Sequence, residues 1–443
     1  MSIKHILLSL IVLVLISSCT KDTLPEITLD HQLQDLIASR SKTGNMNYFI
    51  MPESNEYSQL PNQDPRNPIT QEKIDLGQLL FFETGLAQNP LNDLCYETYS
   101  CSSCHIPSEG FLPGRFQGIA DGGIGFGHHG EDRDIMDEYL ESEIDAQGNR
   151  PMTVMNVTYV TNTLWSGLFG ANDLNEGTEH MWDGLAEVNH TGYHGLEAQN
   201  IEGFDLHRLE INDKVLYEYG YKHLFDRAFP HTPSHERYTP ETASFAMGAF
   251  LRSILTNRAP FQDYLKGNEN ALTEAQKRGA MLFFGKAGCV SCHDSPSFSA
   301  MKFYALGTQD MYEIGGKNTS ADDPRIKGRG MFTGNEYDNY KFKVPQLYNL
   351  KDYASFFHGS SKSTIEEVID FKLAARSENP FVEDDDVALI PRTLSEQEKA
   401  DLIDFLRNAL YDDNMERYQP DSVLSGNCFP NNDHQSRVDM GCE

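Results

Sequence analysis

Two stretches decide the reading of this chain: Cys101-Ser-Ser-Cys104-His105 and its second copy, Cys289-Val-Ser-Cys292-His293. Cys-x-x-Cys-His is the attachment signature of c-type haem. Two thiols at that spacing add to the two vinyl groups of one porphyrin, and the His that follows ligates the iron from the proximal side. A single Cys-x-x-Cys would also suit a redox dithiol or half a zinc site. Two copies, each followed directly by His, favour haem over both. The chain is therefore expected to carry two covalent haem c groups on Cys101, Cys104, Cys289 and Cys292, with His105 and His293 as proximal iron ligands.

Working outward, each motif is preceded by the same helix pattern. Thr70-Gln-Glu-Lys-Ile-Asp-Leu-Gly-Gln-Leu-Leu-Phe-Phe82 and Thr273-Glu-Ala-Gln-Lys-Arg-Gly-Ala-Met-Leu-Phe-Phe284 share Gly-x-x-Leu-Phe-Phe. A threonine cap, acids in the first turn and an apolar stripe predict a helix in both places. The shared order marks an internal repeat of one module. Further helices are predicted over 241–258, 364–375 and 395–410, the last opened by the capping box Ser395-Glu-Gln-Glu398. Leu33, Leu36 and Ile37 hint at one short helix, and the Gly- and Asp-rich residues 301–345 read mostly as loop. No sustained strand alternation occurs, so the fold is expected to be mainly α with long loops. The expected organisation is a leader over 1–19, a tether or extension over 20–68, haem domains over 69–240 and 241–411, and a tail over 412–443.

Near the start, Lys4 and His5 precede the apolar run Ile6 to Ile16, which is short for a bilayer span and suits a signal peptide. Ile16-Ser17-Ser18-Cys19 resembles a bacterial lipoprotein box, in which Cys19 becomes the lipidated anchor; an ordinary secretory signal is the alternative. Either sends the protein to the periplasmic side of the inner membrane, where c-type haem is attached. Of eight cysteines, four are assigned to haem and one to lipid, leaving Cys95, Cys428 and Cys442. An oxidising compartment favours a Cys428–Cys442 disulfide, with Cys95 the odd one out. The net charge of −30 argues against a nucleic-acid partner.

From about Leu76 to Leu410 the chain resembles the bacterial diheme cytochrome c peroxidases and their methylamine-utilisation relatives. The resemblance is carried by Leu76-Gly-Gln-Leu-Leu-Phe-Phe82, the two haem motifs and Phe342-Lys-Val-Pro-Gln-Leu-Tyr-Asn349, with Phe356-Phe-His-Gly359 followed by Thr364-Ile-Glu-Glu-Val368. It implies two facing cytochrome c-like domains. The N-terminal haem would reduce hydrogen peroxide to water, and the C-terminal haem would accept electrons from a small c-type cytochrome or cupredoxin.

The resemblance also implies site residues. Leu196-Glu-Ala-Gln199 and Leu209-Glu210-Ile211 match the family's proton-transfer pair, giving Gln199 and Glu210, with His207 as a competitor for Glu210. Gly127-His128-His129-Gly130 resembles the loop whose His, here His128, caps the first iron at rest. Trp165 is the favoured aromatic between the haems and Trp182 the alternative. The family's Met or Tyr ligand of the second iron lies fourteen residues beyond the His of the Phe-His-Gly block; counting from His358 gives Lys372, with Met331 and Met301 as alternatives. The resemblance further implies calcium between the domains, although the segment concerned reads Asn149-Arg-Pro-Met-Thr153 here, and it admits a homodimer. Two other functions stay open: a diheme oxidase acting on a protein or organic substrate, and a non-catalytic diheme electron carrier.

Overall fold

The computed structural model describes residues 28–442, so the leader and Cys19 lie outside the described residues. The helices that position the site are α1 (Leu29–Arg40), α2 (Gln71–Phe82), α3 (Gly195–Leu206), α4 (Pro240–Ser253), α5 (Glu274–Phe284), α6 (Ile365–Ala374) and α7 (Glu396–Asp404). Two short antiparallel ribbons join them: β1 (Gly123–Ile124) with β2 (Asp134–Ile135), and β3 (Ala300–Ala305) with β4 (Lys341–Val344). The fold is mainly helical, in two halves, each built around one copy of the repeated helix and joined by long loops. Among the described residues no helix is long and apolar enough to cross a membrane.

The repeated helices start and cross alike. Thr70 caps α2 by accepting from the Lys73 N–H, and Thr273 caps α5 in a box with Gln276. Side-chain oxygens there satisfy backbone donors that the first turn leaves free. Gly77 of α2 lies against α4, where a Cβ would sit 2.0 Å from the Ala246 carbonyl oxygen. Gly279 of α5 lies against α7, where a Cβ would sit 2.0 Å from the Asp401 carbonyl oxygen. The glycine in the shared Gly-x-x-Leu-Phe-Phe is therefore a helix-crossing point in both copies, and any larger side chain would force the helices apart. The phenylalanines that follow, Phe81, Phe82, Phe283 and Phe284, meet in one core with Phe250, Phe261, Phe298 and Phe405. A second core, with Leu76, Leu80, Tyr221, Phe225 and Met247, lies within the first half.

Three regions show more structure than their sequence suggests. Residues 28–68 are not a free tether: Leu33, Ile37, Phe49 and Met51 are buried in the main core, and Lys277 of α5 pairs with Asp30 at 2.8 Å. The tail folds back over the first haem motif. Ser100 and Ser103 donate to the Pro430 carbonyl at 3.1 and 2.9 Å, and the buried Arg133 and Asp433 pair at 3.1 Å. A Cys428–Cys442 disulfide closes this tail, and Cys95 is buried as a free thiol. Residues 301–345 include a ribbon, with Phe303 opposite Lys343 and Tyr304 opposite Phe342. Its alternation is masked because Lys343, on β4, is buried.

Candidate functional site

The two haem motifs fold as matching short turns, Cys101–Ser103 and Cys289–Ser291. Each is followed by a residue with left-handed backbone, Phe111 (φ 54°) and Phe298 (φ 58°). That conformation is uncommon outside glycine, and here it turns a carbonyl back onto the imidazole. His105 Nδ1–H donates to the Phe111 carbonyl at 3.0 Å, and His293 Nδ1–H to the Phe298 carbonyl at 2.6 Å. Anchoring Nδ1 leaves Nε2 free to bind iron. Burial pushes both imidazoles down to about 4, so both are neutral at physiological pH, as a metal ligand must be.

Cys101, Cys104, His105, Cys292 and His293 open onto one cavity of about 350 Å³, within the roughly 300–1,000 Å³ of an ordinary ligand site. On the first half of its wall, Gly118 packs against Cys104, where a Cβ would sit 2.5 Å from the sulfur. Gln199 and Glu202 of α3 line this half, and the partly exposed Leu185 and Leu206 also line the cavity. His207 lines it too, with its Nδ1 2.6 Å from Asp145 Oδ2. Burial acts to lower the His207 pKa, but the charge and hydrogen bond of Asp145 outweigh it and hold it above an ordinary imidazole.

Two expected residues are placed elsewhere. Glu210 is not on the cavity wall. Its side chain accepts from Asn89 at 3.2 Å, and its N–H donates to the Leu86 carbonyl. The reason is local: α3 ends at Leu206, and Arg208 turns the chain at φ 57°. The Leu209 N–H closes back on the Phe204 carbonyl in a helix-terminating turn. Arg208 is held in this strained conformation by Asp121 at 2.8 Å. His207 and Glu210 therefore leave the helix end in different directions. His128 is exposed on a turn whose N–H groups at 128 and 129 donate to Glu131, and it does not line the cavity.

Between the two halves stands Trp165. Its indole N–H donates to the Arg150 carbonyl at 2.7 Å, and its ring meets Phe342 and His358 edge-on at 6.5 and 6.4 Å. Buried asparagines shape this long loop. Asn162 donates to the Gly170 and Asn172 carbonyls, and Asn175 and Asn189 satisfy others. Lys343 of β4 clamps it from outside, its N–H donating to the Trp165 carbonyl and its Nζ to the Asn162 carbonyl at 2.6 Å. Burial, then the neighbouring Arg329, push the Lys343 amine down to about 7. Trp182 instead packs among Leu168, Phe169 and Ala186, away from the cavity.

On the second half, Lys372 of α6 lines the cavity, its Nζ 5.5 Å from the Phe357 ring centre. Burial pushes its amine down to about 8, against the opposing pull of the Cys292 and Cys289 sulfurs. Met301 and Met331 do not line the cavity.

The residues present fit two haems. Four thiols of the paired motifs are free, two neutral imidazoles face one largely apolar space, and an unpaired cation waits at its wall. Arg150 donates Nε to the Phe357 carbonyl at 2.9 Å, yet its buried Nη1 has no partner. A buried guanidinium N–H costs free energy unless something accepts it, and a haem propionate is an acceptor of the right charge. Asp145 was not legible as a site residue, since nothing in its loop marks it, and Arg150 was noted only within the Asn149–Thr153 segment that the resemblance ties to calcium. Among the described residues no group of three or more His, Cys, Asp or Glu side chains is arranged to hold a metal ion.

Comparison with known proteins bears on this arrangement. The sequence model of the family described as di-haem cytochrome c peroxidase matches residues 71–270. The methylamine utilization protein MauG of Methylorubrum extorquens is 27% identical over 387 residues, covering 86% of each chain. Cytochrome-c peroxidase IdrP1 of Pseudomonas sp. strain SCT is 27% identical over 363 residues, covering 77% of this chain and 81% of the relative. A solved MauG-like protein associated with microbial copper homeostasis matches with a TM-score of 0.56 at 25% identity, over 82% of this chain and 95% of the other.

Proposed function

We propose that this chain, whose residues 71–270 match the model of the di-haem cytochrome c peroxidase family, reduces hydrogen peroxide to water with electrons taken one at a time from a small c-type cytochrome or cupredoxin. The observation that carries this reading is the convergence of both haem motifs on one cavity, with Trp165 on the wall between them. Bound there, the haems supply a peroxide-binding iron and a second one-electron store.

The chain's own residues supply the rest. His105 and His293, each fixed through Nδ1 by a carbonyl, would hold the irons. Arg150 would offer positive charge to an anionic propionate of a bound haem. Trp165 offers an aromatic path between the two halves. On the second half, Lys372 lines the cavity, and its lowered pKa would make a neutral amine available to ligate an iron bound there. The protein acts on the periplasmic side, anchored through lipidated Cys19. Partly exposed Leu185 and Leu206 on the cavity wall favour a second reading, oxidation of an organic or protein substrate presenting an apolar group.

Stopped-flow spectroscopy of resting and half-reduced protein, with peroxide and a reduced small cytochrome, separates the two. Peroxide-dependent oxidation of about two cytochromes per peroxide supports the first. Rapid reaction with peroxide and none with any small redox protein supports the second.

A further inference from the structure

We propose that His207, oriented by Asp145, carries the proton between the two oxygens of peroxide, the role that the sequence resemblance assigns to Glu210. This rests on the peroxidase reading above and names the acid–base group of that site.

The geometry is that of an oriented base. The Asp145 carboxylate can only accept, so Nδ1 carries the hydrogen of the 2.6 Å bond. Nε2 then has a free lone pair. The imidazole is surrounded by protein yet 36% accessible, and it lines the cavity that also holds His105. Asp145 is buried beside it, its side chain only 5% exposed, and fixes the ring as the acid of a catalytic triad does. Gln199 lies on the same wall, where its amide can hold a peroxide oxygen by hydrogen bond. Glu210 points to Asn89 and has no such access.

The chemistry balances. His207 Nε2 takes the proton from one peroxide oxygen and returns it to the other as the O–O bond breaks, so one oxygen leaves as water. Two electrons from the small redox protein and two protons from solvent convert the remaining oxygen to a second water. Proton transfer by a positioned group contributes a factor of about 10²–10⁴.

The base must be neutral to start. The charged groups acting on it are Asp145, which raises its pKa, and Arg208, which lowers it; His105 faces it across the cavity, and the Tyr99 hydroxyl bonds its carbonyl. Activity therefore rises with pH through the His207 pKa. Removing the Asp145 charge lowers that pKa and moves the rise to lower pH.

The test uses full-length protein carrying its haems, with wild type, His207→Gln, Asp145→Asn and Glu210→Gln checked for equal haem content. Two quantities are measured across pH: peroxide turnover, and the association rate of cyanide. Cyanide enters as HCN and must lose its proton to bind iron, so its rate reports the base without any turnover. His207→Gln is expected to lower turnover by about 10²–10⁴ and to slow cyanide association, while Glu210→Gln changes neither. Asp145→Asn is expected to shift the acid limb of both profiles to lower pH, which a merely structural role would not do. Normal turnover and cyanide association in His207→Gln would end this proposal alone. So would a low-spin first haem that turns high-spin in that variant, because His207 would then be an iron ligand. A wild type that turns over no peroxide ends the peroxidase reading and this proposal with it.

Discussion

The first haem module, Thr70 to His105, and the second, Thr273 to His293, are built alike up to the imidazole and diverge beyond it. Both have a threonine-capped helix, a glycine at the crossing point, a Phe-Phe pair in the shared core and a left-handed phenylalanine whose carbonyl anchors the His. The first then interposes Glu83–Ser100 between helix and motif, where the second has only Gly285–Gly288. Into that insertion the tail docks: buried Glu83 accepts from Ser425 and Tyr221, and the Glu97 carbonyl accepts from Asn432. The wall facing each haem site differs more. The first offers an imidazole–carboxylate pair suited to moving a proton, and the second offers a buried amine suited to binding iron. One framework attaches both haems, and the loops packed over it separate their chemistry.

The comparison breaks first on haem count. Wild type is expected to carry two covalent haems by pyridine haemochrome assay and intact mass, and replacing either cysteine pair by alanine should leave one. Loss of the first pair should abolish peroxide turnover outright. Loss of the second should spare peroxide reactivity at the remaining iron while ending electron supply from the donor. A wild-type count of one would dissolve the equivalence of the modules.

The next largest effect is confined to one module. Lys372→Met should move the near-infrared magnetic circular dichroism band of the second haem and raise its potential, because a thioether favours iron(II) over iron(III) relative to an amine. The first haem should not respond. An unchanged second band would show that another group, or none, completes that iron.

The smallest effect tests the shared framework. Gly77→Ala and Gly279→Ala each place a methyl against a carbonyl 2.0 Å away. Each should cost about 1–3 kcal/mol in thermal unfolding, as overpacking commonly does. Equal losses sharpen the equivalence of the two crossings; a loss at only one site shows that the repeat is one of sequence alone.

Much of this was legible in the chain. The repeat, the capped helices and the haem attachment residues follow from patterns a few residues long. Trp165 and Gln199, taken from the resemblance, do line the cavity, as does Lys372. The rest failed for definite physical reasons. The β3–β4 ribbon was hidden because a buried lysine interrupts its alternation. The extension looked like a tether because few of its residues are apolar, and those few, such as Leu33 and Phe49, are the ones that pack.

By itself, the sequence marked where haem is expected to attach and which His is expected to ligate each iron. That chemistry is covalent and contained within five consecutive residues, so no later folding event can move it. It also determined the two crossing helices, since a cap, a stripe and a small residue act over a few turns. What faces each iron was decided only by the tertiary structure. Asp145 reaches His207 across 62 residues of chain, and a single left-handed turn at Arg208, held by Asp121, sends His207 into the cavity and Glu210 away from it. Backbone direction at a helix end depends on such distant partners, and no local pattern encodes it.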